Sequence, residues 1–248
     1  MRFLILSDIH SNFEALQAAL EAVQGEYDAI ACLGDIVGYG PEPNAVTDWV
    51  RQCKGTCIRG NHDRAACGLD DDSGFNYAGR VAIAWTQEQL TAENVQYLKQ
   101  LPSGPLPIED FQIVHGAVSN EDKYVVTKPD AIEELRRLPA ELVFFGHSHH
   151  QGGYMEDADG HLLEIKPAFF RGRSMAALEI LPGEKYLLNP GSVGQSRDGD
   201  PRAAFAIYDS GRRRMEYWRV PYNLEATQTR MRECGLPEPL IERLEFGH

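Results

Sequence analysis

Five short polar clusters in this chain each sit directly behind a short apolar run. Asp8-Ile9-His10 follows Phe3–Leu6, Gly34-Asp35 follows Ala29–Leu33, and Gly60-Asn61-His62-Asp63 follows Thr56–Ile58. His115-Gly116 follows Phe111–Val114, and Gly146-His147-Ser148-His149 follows Leu142–Phe145. Short apolar runs bounded by Gly and polar residues read as buried strands. In open α/β sheets, ligand sites collect beyond the carboxyl ends of the strands. A fold that obeys this sequence must therefore bring five strand ends, each carrying Asp, Asn or His, into one neighbourhood.

The segments between these runs read as helices. Phe13, Leu16, Ala19, Leu20 and Val23 share one helical face, and Ser11 to Glu14 has the spacing of a capping box. Asn44–Gln52 is a second helix. Residues 77–101 read as two helices broken near Leu90-Thr91, with Thr91 capping the second. Pro102–Pro105 is a loop, and Ala131–Leu138 another helix. Strands alternating with helices imply βαβ units and a mainly parallel sheet. After Gly153 the pattern changes to apolar runs at 161–166, 174–181, 185–188, 203–208 and 215–220, joined by Gly, Pro and Asp turns that suit hairpins. Residues 224–245 return to helix, interrupted at Gly235-Leu236-Pro237. The expected fold class is α/β, an α+β sandwich of two sheets in one domain over residues 1–248. Residues 1–150 would carry the chemistry, 151–222 the β-rich half and 223–248 the C-terminal helices. Phe169-Phe170 and Arg171 are read as core packing rather than a pocket cover.

Charge narrows the partners. The net charge of -13 over 248 residues disfavours a nucleic-acid backbone, which selects basic surfaces. A small anionic substrate fits if bound cations offset the charge locally. No stretch has the apolar length of a membrane span, and the opening residues lack a secretory signal, so a cytoplasmic protein is expected. Cys32, Cys53, Cys57, Cys67 and Cys234 lack paired C-x-x-C spacing and read as reduced, buried or incidental thiols.

Five of the eight histidines lie in the five clusters. Carboxylates, imidazoles and one amide oxygen suit borderline and hard divalent ions rather than a thiolate site. A single D-x-H or H-x-H is more often a turn or a solvated surface, but five at five strand ends read as a metal centre. A carboxylate can bridge two ions about 3.5–4 Å apart. Asp35 is the candidate bridge, since its strand should neighbour that of Asp8. One ion would take Asp8, His10, Asp35 and His149, and the other Asp35, Asn61, His115 and His147.

These clusters, D-x-H, G-D, G-N-H-[DE], H and G-H-x-H in order over residues 8–149, resemble the signature of the calcineurin-like metallophosphoesterase superfamily. Asn189-Pro190-Gly191-Ser192-Val193-Gly194 is also similar to its small bacterial and archaeal phosphodiesterase branch. The resemblance implies a four-layer α-β-β-α sandwich with two packed mixed sheets. It implies two divalent ions, manganese first and iron, zinc or nickel as options, and hydrolysis of small phosphodiesters or nucleotides by a hydroxide that bridges the ions. His62, beside a ligand but not one itself, would act with Asp35 in catalysis as general acid or donor to the phosphoryl group. Arg197, Arg202 and Asn12 are candidate substrate contacts, with a salt-bridged surface loop and a helix cap as the plainer readings. His150 should point away from the ions, and His161 and His248 have no assigned role.

One departure matters. Protein Ser/Thr phosphatases of the superfamily carry an Asp and an Arg shortly after G-D, where this chain has Gly38 and Tyr39. The carboxylate that would orient His62 from that loop is missing, which argues against protein phosphatase activity. The alternatives carried forward are dinucleoside polyphosphate hydrolysis, phosphomonoester hydrolysis, and a partner-binding scaffold without catalysis. A homo-oligomer is left open.

Overall fold

The computed structural model describes residues 1–169 and 174–248. Phe170 and Arg171 lie outside those residues. Six strands form a first sheet in the order β3 (Thr56–Cys57), β2 (Ala29–Cys32), β1 (Arg2–Leu6), β11 (Ala203–Asp209), β12 (Arg214–Val220) and β9 (Met175–Glu179). The second sheet runs β4 (Leu106–Ile108), β5 (Phe111–Ile113), β6 (Leu142–Phe144), β10 (Lys185–Asn189), β7 (Gly152–Glu156) and β8 (Leu162–Ile165). Both sheets are mixed: β1–β2–β3 and β5–β6–β10 pair in parallel, and the flanking pairs are antiparallel.

The period of two along each strand explains why the central runs are apolar throughout. In β1, Phe3 and Ile5 face the second sheet, where they meet Phe111, Phe144 and Tyr186, with Tyr208 of β11 beside them in the first sheet. Leu4 and Leu6 face the opposite way and pack under α1 (Phe13–Ala22), α2 (Pro43–Gln52) and α5 (Ala92–Gln100). In the second sheet, Val143 and Leu187 turn outward onto Ala131 and Leu135 of α6 (Lys128–Leu135). The layers are therefore helix, sheet, sheet, helix. Each fully buried Leu, Ile or Phe contributes about 1.5–3 kcal/mol of transfer free energy, so the inter-sheet layer and the helix-facing layers all contribute to cohesion.

The remaining helices wall one end of the sandwich. They are α3 (Asn61–Ala66), α4 (Tyr77–Gln89), α7 (Leu224–Glu233) and α8 (Glu238–Phe246). Ala82 of α4, Met231 of α7 and Leu240, Ile241 and Leu244 of α8 close around Tyr39. Among the described residues, no helix is long and apolar enough to cross a membrane.

Two local expectations change, and two strands have no clear sequence signal. Asn12, not Ser11, caps α1: its Oδ1 accepts from Ala15 N at 3.1 Å, while Ser11 sits at φ 55°. The backbone of Ser11 is instead held by Ile36 O at 3.0 Å, which removes it from the cap position. The second half is hairpins only in part: β7–β8 and β11–β12 are hairpins, but β9 and β10 belong to different sheets and β10 pairs in parallel with β6. The edge strand β4 and the Gly-led strand β7 carry no apolar alternation strong enough to announce them.

Candidate metal centre

The five loops meet because the parallel core strands of both sheets end at the same side. Beyond β1 and β2 the ladder continues through the loops: Asp8 N donates to Gly34 O at 3.1 Å and His10 N to Asp35 O at 3.0 Å. Asp8, His10, Asp35, His147 and His149 all adopt left-handed backbone, with φ of 52°, 49°, 51°, 63° and 59°. Such φ values are uncommon outside glycine and concentrate where surrounding structure over-determines them. Gly60 makes room for the group, since a Cβ there would collide with Asp35 Oδ1 and with the His115 ring.

Two clusters result. Ligand atoms of Asp8, His10, Asp35 and His149 lie within 4.8 Å of one another, as do those of Asp35, His115 and His147. Asp35 is common to both. Asn61 joins the second cluster through Oδ1, 3.2 Å from His115 Nε2. The structure thus brings together all seven side chains singled out as candidate ligands.

Tautomers decide what this cluster wants. Backbone carbonyls occupy the Nδ1 side of three rings: Val37 O for His10, Gln195 O for His149 and Leu33 O for His115. Asp122 O occupies the Nε2 side of His147 at 3.1 Å. Neutral imidazoles that donate to those carbonyls present lone pairs on their other nitrogens. His10 Nε2 and His149 Nε2 then face each other at 3.1 Å, and His149 Nε2 faces Asp8 Oδ1 at 3.2 Å. His115 Nε2 faces Asp35 Oδ2 at 3.4 Å. Where His10, His149 and Asp8 meet, acceptors confront acceptors, an arrangement that favours a cation there.

Titration differs between the rings. Burial holds His10 and His149 well below the ordinary histidine value, and brings His147 down to about 3 with help from His115. Burial opposes charge on Asp35, but His115 and the neighbouring imidazoles outweigh it and keep the carboxyl ionised. Burial likewise opposes charge on His115, yet Asp35 prevails and pushes it up to about 10. The residues fit divalent ions.

The supporting groups are specific. His147 N donates to both oxygens of Asp8, and Ser7 Oγ donates to Asp8 Oδ2 at 2.6 Å. The Asn189–Gly194 segment is a brace rather than a ligand source. Asn189 Nδ2 donates to Gly146 O and Ser148 Oγ, both at 3.0 Å, Ser192 Oγ donates to Asp8 O at 2.8 Å, and Gly194 N donates to Asp8 O at 3.0 Å. It ties the first loop to the last.

His62 lies against this centre, with its ring 4.7 Å from His10, 4.3 Å from Tyr39 and 4.6 Å from Phe75. Its backbone N donates to Asp35 Oδ1 at 2.9 Å. Burial lowers it to about 4. Nδ1 is buried without a partner, and Gly38 packs against it so closely that a Cβ there would collide. Asp63 does not orient it, because its carboxylate accepts from Gly60 N and Val37 N.

A cavity of about 680 Å³ opens here, lined by Asn61, His62, His147, Tyr39, Phe75 and Arg197 among others. Of the candidate substrate contacts, Arg197 reaches this cavity and its guanidinium lies 5.7 Å from the Tyr39 ring centre. Arg202 does not line it: its guanidinium forks onto Asp200, with Nε to Oδ1 at 2.9 Å. Asn12 does not line it either, since Oδ1 caps α1 and Nδ2 donates to Gly194 O at 2.9 Å. Both corrections have one cause: a nearer partner already holds the polar head. Sequence reading missed Arg243 and Tyr124 and set His248 aside, yet all three line the cavity. Their positions follow from helix packing, which no local motif encodes.

Comparison with known proteins extends the local likeness to the whole chain. An uncharacterised protein of Methanocaldococcus jannaschii is 34% identical over 98% of this chain and 97% of its own. The crystal structure of a metallophosphoesterase from Sphaerobacter thermophilus superposes with a TM-score of 0.87 and 38% identity, covering 100% of this chain and 99% of that one. A hypothetical protein of Pyrococcus horikoshii shares the fold, with a TM-score of 0.79 at 21% identity over 100% of this chain and 98% of its own. Residues 1–212, which hold every side chain of the two clusters, match the calcineurin-like phosphoesterase superfamily domain, and the chain belongs to that superfamily.

Proposed function

We propose that this protein is a dinuclear metal-dependent phosphoesterase acting on small phosphodiesters or nucleotides. The observation that carries the reading is the set of lone pairs that confront one another where His10, His149 and Asp8 meet, with Asp35 shared between the two clusters. Divalent ions held there, manganese first, would supply a water-derived nucleophile at neutral pH and neutralise phosphoryl charge.

The chain's own groups do the rest. Asp8, His10, Asp35 and His149 would hold one ion, and Asp35, Asn61, His115 and His147 the other. His62 faces the cavity from the side of the centre. With no carboxylate at Nδ1 and a depressed pKa, it is suited to donate a hydrogen bond to a phosphoryl or leaving oxygen as a neutral ring. Arg197 approaches from beyond Tyr39 and would hold substrate phosphate.

The test is metal analysis followed by Mn²⁺-dependent hydrolysis of an aryl phosphomonoester and an aryl phosphodiester. Turnover of the diester supports the proposal. Full metal occupancy with no hydrolysis of either would sink the enzyme reading, and a strong monoester preference would replace it with a phosphomonoesterase.

A further inference from the structure

Arginines in this chain are largely matched by acids: Arg64, Arg202, Arg219 and Arg230, for example, each meet a carboxylate. Arg197 and Arg243 are half-buried exceptions on one wall of the cavity. Neither forms an ion pair with a side-chain carboxylate among the described residues. What they share is an amide oxygen: Gln195 Oε1 lies 3.2 Å from Arg197 Nη2 and 3.4 Å from Arg243 Nη1. The Nε atoms of both guanidiniums and Nε2 of Gln195 are buried with no acceptor. Two like charges thus converge on one neutral group, in a protein whose net charge is -13. Burial and the charge of Arg197 pull the Arg243 guanidinium below its usual value. An arrangement that concentrates positive charge and leaves it unneutralised is suited to an anion.

The order of groups along the wall says which anion. The Tyr39 ring contacts His10 and His62 at 4.6 and 4.3 Å, and its hydroxyl meets Arg197 Nη2 at 3.4 Å. Arg197 therefore stands next in line after His62, and Arg243, joined to it through Gln195, stands beyond. Arg243 comes from α8, packed on Tyr39 through Leu240, Ile241 and Leu244 and outside the residues that match the superfamily domain.

We infer that Arg243, with Arg197, forms a second anion subsite for a non-scissile phosphate, so that the preferred substrates carry a further phosphate next to the one cleaved. This rests on the phosphoesterase reading for the site beside it. It names a substrate class, phosphoanhydride-bearing molecules such as nucleoside polyphosphates, rather than simple monophosphates.

The test is calorimetric titration at fixed free Mn²⁺, with orthophosphate and with methylenediphosphonate as probes, on wild type, Arg243→Met and Arg243→Lys. Wild type should bind the diphosphonate more tightly than orthophosphate, and Arg243→Met should reduce that preference by about tenfold, one charge-assisted contact. The orthophosphate constant of Arg243→Met should change by less than about twofold, as expected for a group distant from the first phosphate. Arg243→Lys keeps the charge and should retain part of the preference, while thermal unfolding reports whether both variants are folded. Equal weakening of both probes by Arg243→Met would place Arg243 at the first phosphate and overturn the inference. No effect on either probe would overturn it too. Absence of hydrolysis by metal-loaded wild type would sink the phosphoesterase reading alone, since the two binding constants are measured without turnover.

Discussion

The Tyr124 ring stacks on the imidazole of His147, with centroids 3.9 Å apart and planes 22° from parallel. The same loop supplies Asp122 O to His147 Nε2 at 3.1 Å, so one short segment fixes both the tilt and the tautomer of a candidate ligand. Groups that orient a ligand typically change metal affinity by about 10–100-fold. Tyr124→Ala should weaken the His147 side by about tenfold, while Tyr124→Phe keeps the stack and stays near wild type. Calorimetric metal titration separates the two. Unchanged affinity in Tyr124→Ala would mean that the Asp122 carbonyl suffices.

His62 should separate chemistry from metal binding. His62→Ala is expected to lower kcat by about 10²–10⁴-fold, the range for a lost proton-transfer or donor group. Metal content, measured by atomic emission, should stay at the wild-type value. Loss of ions together with activity would make His62 part of the scaffold of the centre.

Asp35 belongs to both clusters, and His147 to one. Asp35→Asn should therefore deplete both ions, whereas His147→Ala should deplete one and leave the other. Two ions retained by Asp35→Asn would refute the bridging role.

Gly38 lies at φ 96°, and an added Cβ would collide with His62 Nδ1. Gly38→Ala should cost about 1–3 kcal/mol from backbone strain alone. It should also displace His62 and lower kcat. The readout is a drop in Tm with metal stoichiometry intact. The same geometry means that a carboxylate cannot simply be restored at position 38.

Glu134, fully buried, accepts from Ser119 N at 2.9 Å, Ser119 Oγ at 2.6 Å and Lys123 Nζ at 3.0 Å. It anchors the loop that carries Asp122 and Tyr124. Burial works against its charge, but the Ser119 and Lys123 contacts prevail and hold the carboxyl below its ordinary value. A depressed folded pKa means stability present in full above the ordinary glutamate range and lost as pH falls through the depressed value. Glu134→Gln should cost about 1–3 kcal/mol near neutrality, a difference that shrinks in acid. Chemical denaturation at several pH values checks the sign.

The sandwich and the convergence of Asp8, His10, Asp35, Asn61, His115, His147 and His149 were legible because apolar runs and polar tips are local signals. β1 and β6 are buried on both faces, and their shortness between polar turns makes interior strands the natural reading. The cap on α1 was misread because Ser11 and Asn12 are both good caps, and the backbone pairing of Ser11 with Ile36 decides between them. Arg202 looked equivalent to Arg197, and only the fork onto Asp200 distinguishes them. The cavity wall from α8 was invisible because Arg243 reaches it through the packing of Leu240, Ile241 and Leu244 around Tyr39.

Asp8, Asp35 and Asn61 leave the first sheet, and His115, His147 and His149 leave the second. Ions at this centre would thus act as a clasp across the sandwich, closing one end of the inter-sheet layer. Binding only to the closed form, they would add to its stability by mass action. Metal starvation would then loosen the architecture as well as silence the chemistry, so that unmetallated copies become the ones most exposed to proteolysis.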